Sequence, residues 1–307
     1  MDFSDLKQQL KPLFGDSATD TRLEQAYFAF YDIDLENQLK GVSHRLGTLK
    51  SDGYDIACHL FQQDKAKGTF FLLHGYYDHV GLFGHILRFL VGRGYNVLAY
   101  DLPGHGLSSG QSATIADFAI YTRILQDILQ ICSEKLPKPW HGFGQSTGCA
   151  ILTDYLLNDS APQLEKVIFS APLVRPWLWS LSRIQLYLAK PFIKKLPRTF
   201  TDNSRDKDFL AVAHKDPLAP TVLPTEWVVA MDRWIRRIEC YKGKSAISPI
   251  IIQGTYDRTV DAKYNIAKLN EWFTDPDVLM LKDARHHLPN ELESTRSEYT
   301  KWLSSYI

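Results

Sequence analysis

Apolar residues along this chain fall into short unbroken runs set off by polar, glycine-rich turns. Phe70-Phe71-Leu72-Leu73, Val97-Leu98-Ala99-Tyr100 and Ile250-Ile251-Ile252 are three of them. Runs of this length between turn residues read as strands buried on both faces. Strands alternate with helical segments through Phe169, and that alternation predicts parallel pairing with helices on both faces of the sheet. Two antiparallel strands are expected first, near Val42–Leu49 and Tyr54–Phe61, joined by the turn signal Ser51-Asp52-Gly53. Residues 1 to about 40 form a mostly helical lead-in, with Leu23, Tyr27, Phe30 and Tyr31 on one face. The alternation breaks after Ser170-Ala171-Pro172, and no convincing strand appears between about Leu173 and Ser245. No internal repeats or low-complexity tracts interrupt the pattern.

Chemistry concentrates where the expected strands end. Lys138-Pro139-Trp140-His141-Gly142-Phe143 leads into Gly144-Gln145-Ser146-Thr147-Gly148, and a helical run follows from Cys149 to Leu157. A serine between two glycines at a strand-to-helix turn is a nucleophile elbow, whose tight turn lifts the hydroxyl above the sheet edge. The run ending at Leu73 continues as His74-Gly75-Tyr76-Tyr77-Asp78-His79. The backbone N–H groups of Tyr76 and Thr147 are therefore candidates for an oxyanion hole, held in place before any reaction begins.

Downstream, Ser248–Gly254 reads as a buried strand followed by Asp257, and Asp277–Asp283 as another followed by Ala284-Arg285-His286-His287. Ser146, Asp257 and His286 thus follow one another at strand exits in the order nucleophile, acid, base. Asp261 and Asp283 compete with Asp257 but read as loop or capping carboxylates. His287 competes with His286 and is expected to point away from the site. Gly104-His105-Gly106 lacks the third glycine and the following helix of a dinucleotide fingerprint, so NAD binding is rejected.

These residues, as an ordered set, resemble the monoacylglycerol lipase and lysophospholipase branch of the α/β-hydrolase superfamily. The likeness is carried by His74-Gly75 with Asp78-His79, Asp101 through Gly110, Gly144 to Gly148, Gly254 to Asp257, and Ala284-Arg285-His286 with Asn290-Glu291. Weaker echoes are Tyr27–Tyr31 and Asp216-Pro217-Leu218. The resemblance implies an α/β-hydrolase fold with a mostly parallel eight-stranded sheet, and it supports His286 over its neighbour. It divides the chain into a core at 1–172, a helical cap insertion at 173–245, and the rest of the core at 246–307. Tyr77 departs from the pattern, since many relatives carry a small residue there; it narrows the acyl pocket or reshapes the oxyanion loop.

Composition adds boundaries. The 307 residues, 45% hydrophobic, can bury a full α/β core, and the formal charge of zero argues against a general nucleic-acid binder. No run of about 18 apolar residues predicts a membrane-spanning helix. The polar start Met1–Lys7 lacks the features of a signal peptide. Four scattered cysteines (Cys58, Cys132, Cys149, Cys240) without a C-x-x-C spacing read as reduced thiols in a cytoplasmic protein, and Cys149 as a small core residue. No metal-ligand spacing and no cofactor motif is found.

Within the cap, residues 171–200 hold Arg175, Arg183, Lys190, Lys194, Lys195 and Arg198 and no carboxylate. Interleaved are Trp177, Leu178, Trp179, Leu181, Ile184, Leu186, Tyr187, Leu188, Phe192 and Ile193. Two readings stay open: a cap helix packed on the core with solvated cations, or a surface that touches lipid at the inner face of the membrane. Tyr77, Trp177 and Trp179 are candidate substrate contacts.

The expected reaction is ester hydrolysis on a monoacylglycerol or lysophospholipid. His286, oriented by Asp257, takes the Ser146 proton, and an acyl-enzyme forms that water then hydrolyses. Activity should rise with pH through roughly 6 to 7, as a base histidine loses its proton. Dehalogenases and epoxide hydrolases are set aside because they carry an aspartate at the elbow. Proline iminopeptidases are set aside because a second glycine and a proline follow their His-Gly. A carboxylesterase or thioesterase for small acyl substrates, a carbon–carbon hydrolase, and a non-catalytic binding protein of the same fold stay as alternatives. Oligomeric state is not legible.

Overall fold

The structure, a computed structural model, describes residues 2–15, 21–158, 162–189 and 193–307, with the side chains of 186, 188 and 189 outside the description. Strands β1 (Val42–Ser51) and β2 (Tyr54–Gln63) pair antiparallel through a tight turn. Asp52 and Gly53 both take positive φ there, the geometry that matches the twist of a two-residue hairpin. Then come β3 (Thr69–Leu73), β4 (Asn96–Tyr100), β5 (Trp140–Gln145) and β6 (Leu164–Ser170). After a long excursion the chain returns as β9 (Pro249–Gly254) and β10 (Asp277–Leu281), with β7 (Lys195–Pro197) and β8 (Val222–Pro224) lying inside the excursion.

The main sheet has eight strands in the order β1-β2-β4-β3-β5-β6-β9-β10. β2 meets β4 antiparallel, and each later neighbour is parallel. The fold is the expected mostly parallel α/β sheet. Every residue of β3, β4, β5 and β9 is buried, which is why these strands read as continuous apolar runs and not as alternations.

Helices cover both faces. Phe118–Cys132 repeats Phe118, Tyr121, Ile124, Leu125, Ile128, Leu129 and Cys132 at helical spacing and packs on one face with Thr147–Asn158. Its first turn is capped by the Asp117 carboxylate, which accepts the Ala119 N–H at 2.8 Å. Gly84–Gly92, Glu293–Leu303 and the lead-in helices cover the other face.

Two details differ from the sequence pattern. In the lead-in helix Thr21–Phe30, Phe28 is buried and Phe30 is exposed. Phe28 stacks on His44 of β1, a contact between elements that the helical wheel does not contain. The excursion between β6 and β9 also holds β7 and β8, which pair only with each other. At three residues each, they are too short to show an alternation.

Among the described residues no helix is long and apolar enough to cross a membrane.

Candidate active site

The parallel strands all point their C-terminal ends to one edge, and the turns leaving that edge carry the candidate residues. Ser146 sits between β5 and the helix Thr147–Asn158 with φ of 51°, a left-handed conformation that non-glycine residues seldom adopt. The flanking glycines follow from close backbone approach. A Cβ on Gly148 would lie 2.2 Å from the Leu73 carbonyl oxygen, and one on Gly144 would lie 2.7 Å from the Cys149 nitrogen. The turn is fixed to its neighbour strand by the Ser146 N–H, which donates to Ser170 O at 2.9 Å. Thr147 opens the helix, so its N–H is among the donors a helix leaves free and lies at the positive end of the helix dipole.

Asp257 follows β9 and is buried. One carboxylate oxygen accepts the N–H groups of Thr259 (2.8 Å) and Val260 (3.1 Å); the other accepts Gln253 Nε2 at 3.0 Å and lies 2.8 Å from His286 Nδ1. Burial by itself would raise this carboxyl, but His286 and the two amides outweigh it and hold the pKa below the usual carboxylate range. The carboxylate is thus an acceptor for Nδ1–H, leaving Nε2 of His286 for the cavity. The loop after β10 that carries His286 is braced by Glu291, which accepts the N–H groups of Arg285 (2.8 Å) and Arg205 (3.2 Å).

Ser146 and His286 line one cavity of about 240 Å³ together with Tyr76, Tyr77 and Thr147. Leu173, Leu210, Trp227, Met231 and Val260 supply apolar wall. The helix Thr225–Ile238 borders this cavity: Trp227 and Met231 stand on its wall, while Trp234, Ile235 and Ile238 are buried in the core. Trp227 stacks on Tyr76 with ring centroids 3.6 Å apart, and the Tyr76 hydroxyl donates to Ala113 O at 2.8 Å. The loop bearing Tyr76 is held from below by His74, whose Nδ1–H donates to Gly75 O (2.7 Å) while Nε2 accepts the Leu102 N–H (2.9 Å). Asp101 accepts the N–H groups of Val80 and Leu107 at 2.8 and 2.7 Å and ties the next two loops together.

Trp177 and Trp179 are not brought to this cavity, which corrects the expectation for both. The Trp177 N–H is tied to Thr259 O at 2.9 Å, and its ring lies under the Arg258 guanidinium at the surface. Trp179 opens the helix Trp179–Ala189 and turns its ring into the core. His287 is buried, 3.5 Å from Asp78 Oδ1 and packed against Phe83 and Phe209. Asp261 caps the helix Ala262–Trp272 by accepting the Tyr264 N–H. Cys149 is buried with its thiol against Gly144 O and Ser170 O.

Of the basic aromatic stretch, Lys190 and Phe192 and the side chains of Leu186 and Leu188 lie outside the described residues. Arg175 pairs with Glu239 and Arg183 with Asp232, while Lys194 and Lys195 are exposed. Trp227 and Arg198, both on the cavity wall, are the contacts that sequence reasoning missed. Trp227 had a signal in the apolar spacing of its helix.

The strand order and the edge geometry place the chain in the α/β-hydrolase class as a serine ester hydrolase. It belongs to the Hydrolase_4 family (serine aminopeptidase, S33), whose model matches residues 64–293. The monoglyceride lipase of Mus musculus is 23% identical over 273 residues, covering 84% of this chain and 90% of that protein. The monoacylglycerol lipase of Mycolicibacterium smegmatis is 26% identical over 159 residues, covering 50% of this chain and 56% of that one. Among solved structures, a soluble variant of monoglyceride lipase from Saccharomyces cerevisiae in complex with a substrate analogue superposes with a TM-score of 0.72. It is 19% identical and covers 86% of this chain and 95% of that one. Paleococcus ferrophilus monoacylglycerol lipase gives 0.70 at 21% identity, covering 82% and 99%.

Proposed function

We propose that this protein hydrolyses carboxylic esters of single-chain lipids, of the monoacylglycerol or lysophospholipid type, through an acyl-enzyme on Ser146. The observation that carries this reading is one apolar cavity shared by a left-handed Ser146 and a His286 whose Nδ1 is 2.8 Å from a buried carboxylate. His286 Nε2 would take the Ser146 proton as the oxygen attacks the ester carbonyl. The oxyanion would rest on the N–H groups of Tyr76 and Thr147, fixed in advance by the strand end and the helix start. Protonation of the alcohol by His286 then releases it, and water repeats the sequence on the acyl-enzyme. The apolar wall suits an acyl chain, with Tyr77 narrowing the mouth.

The segment 173–245 acts as the cap in this reading. Its exposed Leu178, Leu181 and Ile184, with Lys194 and Lys195 nearby in sequence, support contact with a lipid surface that delivers the substrate. Unpaired thiols at all four cysteines support a reducing compartment, the cytoplasm. The monoglyceride lipase relatives support the substrate class.

The test is labelling with a fluorophosphonate probe. Wild type should be labelled and Ser146→Ala should not; persistent labelling of the variant moves the nucleophile elsewhere. Absence of labelling in a folded wild type removes the hydrolase reading.

A further inference from the structure

Five of the seven arginines of the cap segment meet an opposite charge. Arg175 pairs with Glu239, Arg183 and Arg236 with Asp232, Arg205 with Glu291 and Arg237 with Asp154. Arg198 does not: half-buried on the wall of the Ser146 cavity, it has no ion-pair partner among the described residues. It follows β7 and is pinned by its own N–H to Thr221 O (2.9 Å) and by Nη1 to Pro220 O (3.2 Å). The guanidinium lies 4.2 Å from the centre of the Tyr77 ring and 4.3 Å from that of Phe200. Ring contacts hold the plane of the group and leave its remaining N–H donors unmatched.

Two carboxylates also face this cavity; both act on Arg198 through space without an ion pair to it, and each lies against a histidine. Asp78 lies 3.5 Å from His287. Burial would raise its pKa, but His287, His74 and Arg198 outweigh burial and hold it at about 2. Asp216 accepts from His79 Nε2 and the Tyr31 hydroxyl, both at 2.8 Å. The Tyr77 hydroxyl is buried near that of Tyr76 and makes no hydrogen bond of good geometry. A half-buried cation with open donors gains from a ligand that completes it, and an acyl chain offers it nothing. The group that completes it belongs to the polar, alcohol side of the substrate.

We infer that Arg198, stacked over the Tyr77 ring, forms an anion subsite that selects acyl esters bearing a phosphate on the alcohol portion over neutral glycerol esters. A tetrahedral group with several oxygens can take more than one donor of the planar guanidinium fork together. The same cation disfavours substrates carrying an ammonium near the scissile bond, as an aminopeptidase requires. This inference rests on the ester-hydrolase reading of the site.

The experiment compares kcat/KM for decanoylglycerol and decanoylglycerol phosphate, each below its micellar concentration and at fixed ionic strength. Wild type should favour the phosphate ester by about tenfold to a hundredfold, the span of one charge-assisted hydrogen-bonding group. Arg198→Gln should lose at least tenfold more on the phosphate ester than on the neutral ester, and Arg198→Lys should restore part of the preference. Wild type favouring the neutral ester, or Arg198→Gln losing both in proportion, overturns the subsite. Inorganic phosphate that inhibits neutral-ester hydrolysis, with no preference for the phosphate ester, shows a free-phosphate site and overturns the substrate assignment. An enzyme that hydrolyses neither ester yet is labelled by fluorophosphonate overturns the subsite alone; one that is not labelled overturns the hydrolase reading beneath it.

Discussion

Five histidine rings (His44, His59, His74, His105 and His141, the last held at about 4 by burial) are buried where a proton is hard to add, and together they predict a steep loss of stability in mild acid. His44 lies between Phe28 and Phe61, with ring centroids 3.8 and 3.9 Å away, and its Nε2 meets His59 Nδ1 at 3.0 Å. Glu36 stands 3.5 Å from its other nitrogen. His74 uses both nitrogens on the backbone, and His105 Nδ1–H donates to Pro103 O at 3.0 Å. Burial holds His44 and His74 at about 3 and His105 at about 4. It pushes His59 well below its usual range, with His44 and His79 adding to the effect.

In the unfolded chain these rings take up protons as pH falls through about 6.5. The folded protein resists until much lower pH, so the unfolded state binds more protons and stability falls as pH drops below about 6.5. Each ring contributes up to about 1.4 kcal/mol per pH unit, and five give about 7 kcal/mol per unit. His79 acts in the opposite direction. Burial lowers its pKa, but Asp216 outweighs burial and raises it, so its contribution is present below about 6.5 and lost at higher pH.

A total stability of about 5–15 kcal/mol would then be largely gone one to two units below neutral. Acid loss of activity is ambiguous, because a base histidine is protonated too, so unfolding must be measured directly. Urea titrations followed by tryptophan fluorescence at about pH 7.5, 6.5 and 5.5 should show the midpoint falling by about 1–2 M across the last interval. His105→Gln should remove about a fifth of that slope. A midpoint that stays level or rises on acidification refutes the reasoning.

Two further changes are expected. Asp257→Asn should lower kcat by about a thousandfold to ten-thousandfold, because the amide no longer holds the Nδ1–H tautomer of His286; steady-state kinetics beside an unchanged circular dichroism spectrum measures this, and a loss under tenfold contradicts the role. Replacing the exposed Leu181 and Ile184 by serine should weaken binding to anionic vesicles by about tenfold or more, since each withdraws on the order of 1 kcal/mol of interfacial burial; co-sedimentation that is absent in wild type, or equal in both, removes the membrane contact.

The strands were legible because a sheet covered on both faces leaves no alternation to misread, and the elbow because its glycines are dictated locally. Gly144 and Gly148 are required by atoms of the adjoining turn and strand, so their spacing survives as a motif. The cavity wall is different. Tyr76 meets Trp227 and Tyr77 meets Arg198 only after the excursion between β6 and β9 folds back over the sheet edge, and no periodicity records which residue arrives opposite which. Trp177 and Trp179 looked like ring-bearing contacts because they stand in the basic aromatic stretch expected over the sheet edge, yet Thr259 and the core take them away from the cavity. Arg198 looked like one more solvated cation in a basic run. Its position is decided by Pro220 and Thr221, 22 and 23 residues onward and just ahead of the facing strand, which hold the guanidinium over Tyr77. The edge that carries Ser146 and His286 is therefore written in local spacing, while the placement of Arg198 on the cavity wall follows from a long-range pairing of two three-residue strands.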